Sequence, residues 1–432
     1  MSFSPALTAY RLATPLLAPL AGLWLGARAN SGKEDRARLG ERYGRYPSAR
    51  PAGRLVWLHA ASVGESNVAL ALIEALAAAD PSLSFVISTG TRTSADLVAR
   101  RALKRVTHVY APLDAGGAVR RFLDHWRPDL GVFVESELWP NLILAAQKRG
   151  IPLALVNARM SPKSLRRWQA WSAAGARLLN AFAFVAAADA RTAEALRQVR
   201  GADVAALGNL KLAAPAPKID AGAREALAKE IGGRDVWLAA STHAGEDEIV
   251  LAAHAQLRAQ WPDALLIIAP RHPERGEAIA QLAGGAPRRS RFEAIGAAPV
   301  YVADTLGELG LFYDIAPVAL VAGSLLPSLK GHNPIEPAKL NAAVLTGPHV
   351  ESFQDVFDML FAAGGASIVR DAAGLAEGVA ALWQDKNVRL RRVDAARSVV
   401  DVGAEAMETT VAQLLALMPQ QSPATRPADA SA

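Results

Sequence analysis

Cysteine is absent from all 432 residues, which excludes disulfides, thiolate metal sites and a cysteine nucleophile. Any chemistry therefore falls to oxygen and nitrogen groups. No GxGxxG follows the first apolar strand and no GxxxxGK[ST] occurs, so dinucleotide dehydrogenases and P-loop enzymes lose support. Neither an HExxH pattern nor a DxD pair is present, and an activity without metal or cofactor is expected. Charged residues make up 20% of the chain and hydrophobic ones 51%, a globular rather than a disordered profile. The length predicts two domains. The net charge of +6 favours an anionic partner, without choosing among nucleic acid, a membrane surface and an acidic substrate.

Long apolar runs are also scarce. Residues 12–27 are apolar apart from Thr14, but Pro15 and Pro19 interrupt them, and they fall short of the roughly 20 residues a spanning helix needs. Arg28, Lys33, Arg36, Arg38, Arg42 and Arg45 follow, against Glu34, Asp35 and Glu41. Arg11 alone is a thin positive region for a cleaved signal. Residues 1–30 are expected to form an uncleaved anchor dipping into a bilayer, with the basic stretch on the cytoplasmic side. A buried first helix is the alternative.

Short continuous apolar runs then recur with helical stretches between them: LVWLHA from Leu55, FVIST from Phe85, HVYAP from His108, LGVFVE from Leu130 and PLALVN from Pro152. Continuous rather than alternating runs predict parallel strands buried on both faces. A second series follows an alanine- and proline-rich linker at 213–217: VWLAAS from Val236, LLIIAP from Leu265, PVYVAD from Pro299, VALVAG from Val318 and AVLTG from Ala343. The expectation is α/β, with doubly wound domains over 31–212 and 213–417 and a disordered tail over 418–432. Ligands should sit at the carboxyl ends of the strands.

Several clusters fall at such ends. Ser62-Val63-Gly64-Glu65 fits a capping box, and Glu65 fits a general base; one carboxylate can hardly serve both roles. Glu135 and Glu137 follow a buried strand, where acids are costly unless paired or functional. Arg159, Lys163, Arg166 and Arg167 beside Trp168 and Trp171 suit a phosphate-bearing lipid headgroup or an ordinary solvated helix face. No recognised nucleic-acid motif accompanies them. Arg271 and His272 follow LLIIAP and suit a phosphate. Asn333, Pro334 and Glu336 read as N-cap, first and third helical positions, opened by Gly331 for an anion.

Taken together, HAASVGE from His59, ISTGTRTSAD from Ile87, FVESELWPN from Phe133, GNLK from Gly208, ASTHAGEDE from Ala240, PRHPER from Pro270, GELGLFY from Gly307 and GHNPIEPA from Gly331 resemble the Kdo transferases. These enzymes attach 3-deoxy-D-manno-oct-2-ulosonic acid to the lipid A precursor. The resemblance spans nearly the whole chain. It implies a GT-B fold of two Rossmann-like domains, with the acceptor on the first, the donor on the second and a C-terminal helix crossing back. It also implies inverting, metal-independent transfer from CMP-Kdo at the inner membrane, in lipopolysaccharide biosynthesis. By position Glu65 would be the general base, and Glu135 and Lys211 would support the transition state. Pro270, Arg271, Leu306, Gly307, Glu308, Asn333, Pro334, Ile335 and Glu336 would contact CMP. Lys330 stands where the family tends to have glycine, Leu306 replaces a frequent methionine, and no aromatic follows Lys211. A nucleotide-sugar epimerase and a non-catalytic membrane-surface protein are the competing readings.

Overall fold

Thirteen strands in two parallel sheets organise the chain among the residues described by the computed structural model, which are 4–32, 34–136, 138–160, 168, 171–213, 216–217 and 219–419. The first sheet holds β1 (Leu55–Ala60), β2 (Ser84–Thr89), β3 (Val106–Tyr110), β4 (Leu130–Val134), β5 (Leu153–Ala158), β6 (Phe184–Ala187) and β7 (Ala205–Ala206), in the order β3-β2-β1-β4-β5-β6-β7. The second holds β8 (Val236–Thr242), β9 (Leu265–Pro270), β10 (Val300–Val302), β11 (Val318–Val321), β12 (Ala343–Thr346) and β13 (Ala366–Ile368), in the order β10-β9-β8-β11-β12-β13. Every residue of β1, β2, β4 and β5 is buried, as continuous apolar runs under helices on both faces require.

Each sheet has a core on either face. On one face of the first, Trp57 meets Phe133 and Phe122 with ring centroids 5.0 Å apart; on the other, Val56, Leu58, Ile73 and Val132 are sealed from solvent. The second sheet divides in the same way, with Trp237 and Leu266 on one side and Leu238, Ile267 and Phe312 on the other.

The chain separates into a unit of Met1–Ala213 with Gly403–Ala432 and a unit of Ala214–Val402. The expected second domain of 213–417 needs correction at its end. The helix Lys386–Leu417 leaves the second unit at Val402, and its last turns belong to the first. Ala406, Met407, Val411 and Leu414 fill one core of that unit, and so does Met418 at 5% exposure. A tail beginning at 418 therefore starts too early, because Met418 is core; residues 420–432 lie outside the described residues.

The N-terminal helix Pro5–Asn30 bends by 67° between Pro5–Leu16 and Ala21–Asn30. Among the described residues no single helix is long and apolar enough to cross a membrane; the bent pair meets the test by length and composition only. Leu7 and Leu25 are buried, Tyr10 donates to Asp114, and Thr14 accepts from Asn141. Leu12, Leu16, Leu23 and Trp24 stay exposed. Part of the basic stretch behind the helix is used internally. Glu34 pairs with Arg28 and with buried Arg42, and Glu41 pairs with Arg38. Arg42 also donates to the carbonyls of Gly90 and Ala111.

Gly403 marks where the terminal helix passes the backbone at Leu212. A Cβ there would meet Leu212 Cβ at 2.4 Å and the Leu212 carbonyl carbon at 2.5 Å. Gly403→Val is expected to destabilise the protein by about 1–3 kcal/mol through overpacking, read as a lowered Tm. An unchanged Tm would show that the helix is not held at this point.

Candidate active site

The turn after β1 enters the helix Val63–Ala79 through Ser62, whose hydroxyl accepts the Glu65 N–H. The Glu65 carboxylate returns the bond, with Oε2 accepting from Ala61 N–H at 2.6 Å and from Ser62 N–H at 3.4 Å. The capping reading of this motif is therefore present in the structure, and Glu65 is 7% exposed. His59 in the same motif is fully buried and held neutral, down to about 3, first by its burial and then by Arg42. It bonds Ser88 through Nδ1 and packs edge-on against Trp139. HAASVGE and FVESELWPN thus meet across neighbouring strands β1 and β4.

Glu135 and Asn157, just past β4 and at the end of β5, both have left-handed backbones, with φ of 59° and 52°. This conformation is uncommon away from glycine and gathers at functional sites. Lys211 Nζ lies 3.1 Å from Glu135 Oε1, so two of the residues singled out from sequence are brought together. Asn157 Nδ2 donates to the same oxygen at 3.4 Å, while Asn157 Oδ1 accepts the Leu210 N–H at 3.0 Å. Asn209 Oδ1 accepts the Lys211 N–H at 3.1 Å. Sequence reasoning gave neither asparagine a role. For Asn157 the signal was an asparagine at a strand end, where its side chain tolerates the left-handed region.

Arg159 is half-buried just beyond β5. Trp168 packs against the first unit's core and closes over Gly175, leaving Trp171 as the exposed tryptophan of the cluster. Lys163, Arg166, Arg167 and Glu137 lie outside the described residues.

In the second unit, Pro270 ends β9 and exposed Arg271 follows, its N–H bonded to Thr242 O. Leu306, at 82% exposure, and Gly307, at φ 85°, lie beyond β10. Glu308 is held by Arg289 and Thr305, and the Arg289 hydrogen bonds keep its carboxyl below the usual range. After β11 come Asn333, Pro334, Ile335 and Glu336. Asn333 Oδ1 accepts the Ile335 N–H, and its Nδ2 donates to Glu336 at 3.3 Å. The helix itself is only Ile335–Lys339, and the cap position falls on Pro334, which makes no side-chain cap bond. The expected dipole site is corrected accordingly, because so short a helix adds little aligned dipole. Burial raises the Glu336 carboxyl, with Asn333 and Arg271 opposing. Lys330, exposed and at φ 63°, occupies a conformation that glycine suits.

Two features of this edge escaped sequence reasoning. Glu246, in the first turn of its helix, is fully buried, and its carboxylate accepts four backbone N–H bonds. They come from His243, Gly323, Ser324 and Leu325 at 2.8–3.1 Å. Above this clamp His243 Nε2 and His332 Nε2 lie 2.9 Å apart, in rings inclined by 14°. Among the described residues no group of three or more potential ligands is arranged to hold a metal ion.

A family profile described as 3-Deoxy-D-manno-octulosonic-acid transferase (kdotransferase) matches residues 37–214. The 3-deoxy-D-manno-octulosonic acid transferase of Haemophilus influenzae is 34% identical over 404 residues, covering 88% of this chain and 92% of that protein. The enzyme of the same name from Bordetella pertussis is 34% identical over 420 residues, covering 93% and 97%. Among solved structures, UDP-GlcNAc 2-epimerase from Neisseria meningitidis superposes with a TM-score of 0.55 at 15% identity, over 84% of this chain and all of that one. At that identity the likeness speaks for the fold alone, which is GT-B with two Rossmann-like domains. With relatives matching along both units and the family's motifs at the carboxyl edges of both sheets, the chain belongs to the 3-deoxy-D-manno-octulosonic acid (Kdo) transferases.

Proposed function

We propose that this glycosyltransferase moves Kdo from CMP-Kdo to the tetraacyl lipid A precursor, with inversion and without a metal, in lipopolysaccharide biosynthesis at the cytoplasmic face of the inner membrane. The observation that carries the reading is the Lys211–Glu135 ion pair at a sheet's carboxyl edge, with Glu135 and its partner Asn157 both on left-handed backbone. As the sugar–phosphate bond breaks, negative charge grows on the CMP phosphate. Arg271 at the donor edge meets that charge, the role a metal plays elsewhere, and Lys211, paired with Glu135 in the first unit, supports the transition state. Pro270, Arg271, Leu306, Gly307, Glu308, Asn333, Pro334, Ile335 and Glu336 are the CMP contacts in this reading. They follow β9, β10 and β11 at one edge of one sheet, as nucleotide sites on such folds do.

Glu65 is the acceptor's base in this proposal. Against the expectation that one carboxylate can hardly serve both roles, its cap bonds both go to Oε2, and the proton goes to Oε1 in this proposal. For the membrane, the N-terminal helix offers Leu12, Leu16, Leu23 and Trp24. Beside it Arg11, Arg120, Lys148 and Arg149 line one cavity. Exposed apolar side chains next to cations suit an interfacial attachment to anionic lipid. Arg159, Lys163, Arg166 and Arg167 are acceptor-side cations in the same reading.

Purified protein given CMP-Kdo and lipid A precursor should yield a product heavier by one or more Kdo residues, equally with and without excess EDTA. An inactive EDTA-treated enzyme restored by a divalent ion would overturn metal independence. Glu65→Gln, which preserves a cap acceptor, is expected to keep the Tm and lower kcat by about 10²–10⁴-fold. Glu65→Ala should in addition lose about 1 kcal/mol of stability with the cap bond. Turnover near wild type in Glu65→Gln would leave Glu65 as a cap only. Lys211→Ala should lower kcat by about 10²-fold or more; an unchanged kcat would remove the ion pair from the machinery.

A further inference from the structure

The loops after β8 and β11, on neighbouring strands, carry His243 and His332, and their backbones are pinned from below by Glu246. Gly323 at φ 69° leaves room for the His332 ring, which a Cβ there would approach to 2.4 Å. The Nε2–Nε2 contact of 2.9 Å carries a chemical requirement: one nitrogen donates and the other accepts. Two neutral imidazoles hold two protons on four nitrogens. One proton lies in the shared bond and one on the Nδ1 of the accepting ring, which leaves the Nδ1 of the donating ring bare. Neither Nδ1 has a hydrogen-bond partner among the described residues.

We propose that His243 and His332 form a proton-accepting anion subsite of the donor site, taking up one proton from solvent when the donor's phosphate binds. The proposal rests on the CMP-Kdo reading above and adds a ligand-linked protonation to it. The proton lands on the bare Nδ1; the pair becomes a monocation with two outward N–H donors, and no other bond changes.

The surroundings disfavour the charged form of both rings in the free pair. Arg271, His272 and Arg275 face it from the segment after β9, and Glu246 from the helix after β8 is the acid on His243. Burial, then His243, Arg271 and His272, bring His332 down to about 4. His243 is lowered as well, by burial first, with Glu246 opposing and His272, Arg275 and Arg271 adding to the fall. Beyond them Glu336 is engaged with Asn333 and lies in the field of Arg271, and His272 is near Glu274 at 3.7 Å. An arriving phosphate cancels the field of Arg271 and favours the imidazolium, so the pair's proton affinity rises on binding. The occupied pair takes up its proton at a higher pH than the free pair. Donor affinity therefore strengthens as pH falls from about 8 towards 6.

The KM for CMP-Kdo tests this directly, because its phosphodiester has no ionisation of its own in that range. With the full-length enzyme, KM is expected to fall about 3- to 10-fold between about pH 8 and pH 6. His243→Gln and His332→Gln should flatten the profile while their Tm values report folding. The wild-type profile stands even if a variant does not fold. Calorimetric titration of CMP-Kdo without acceptor, in two buffers of different ionisation heat, should show the wild type taking up close to one more proton than His243→Gln at about pH 6. A pH-independent KM with normal transfer would overturn the histidine subsite alone. Retention of the slope in both folded variants would also overturn it. Absence of transfer from CMP-Kdo at every pH would overturn the donor reading beneath it.

Discussion

Parallel strands that end at a loop leave backbone N–H groups without ladder partners, and in both units a glutamate from the helix after the unit's first strand takes them up. Glu65 does this for the turn after β1, and Glu246 for the turn after β8 and for the loop after β11 as well. Each buried N–H left without a partner costs about 1–3 kcal/mol. The four bonds to Glu246 therefore make it the anchor on which the geometry of the donor edge depends. His243, Gly323, Ser324 and Leu325 have fixed positions because a carboxylate with no exposed surface is satisfied by them.

The two units use this scaffold differently. At the first unit's edge, strain is concentrated where β4 and β5 end, and Glu135 and Asn157 carry it in left-handed backbone. Side-chain bonds from Lys211 and to Leu210 offset that cost by drawing the segment after β7 onto the same spot. At the second unit's edge the feature is a surplus of positive charge. Arg271, Arg275 and the paired histidines gather around loops with few acids beyond Glu246, Asp247 and Glu336, and Asp247 is taken by Arg275. One edge is arranged to hold a few side chains in exact relation to one another, and the other to receive an anion.

Much of this was legible in the sequence, for reasons that also explain what was not. LVWLHA and LLIIAP announced buried parallel strands because their apolar runs are continuous. β7 and β13, of sequence AA and ASI, hold too little bulky apolar sequence to stand out as strands. The capping box at Ser62 and Glu65 was visible from spacing, and its bonds are present. Glu246 was visible only as an acid at a helix start, since spacing says nothing about a loop 77 residues away. The handover of the final helix at Gly403 was hidden because its apolar positions read alike in either core. Trp168 looked like an interface residue from its basic neighbours, and only the position of Gly175 shows that it packs inward.

The long final helix sets an order on how the protein is made. The ribosome releases β1 to β7 first, yet Met407, Val411, Leu414 and Met418, which fill one side of that sheet, emerge after everything in the second unit. Until they arrive, the nascent first unit presents an open apolar face with nothing of its own to cover it.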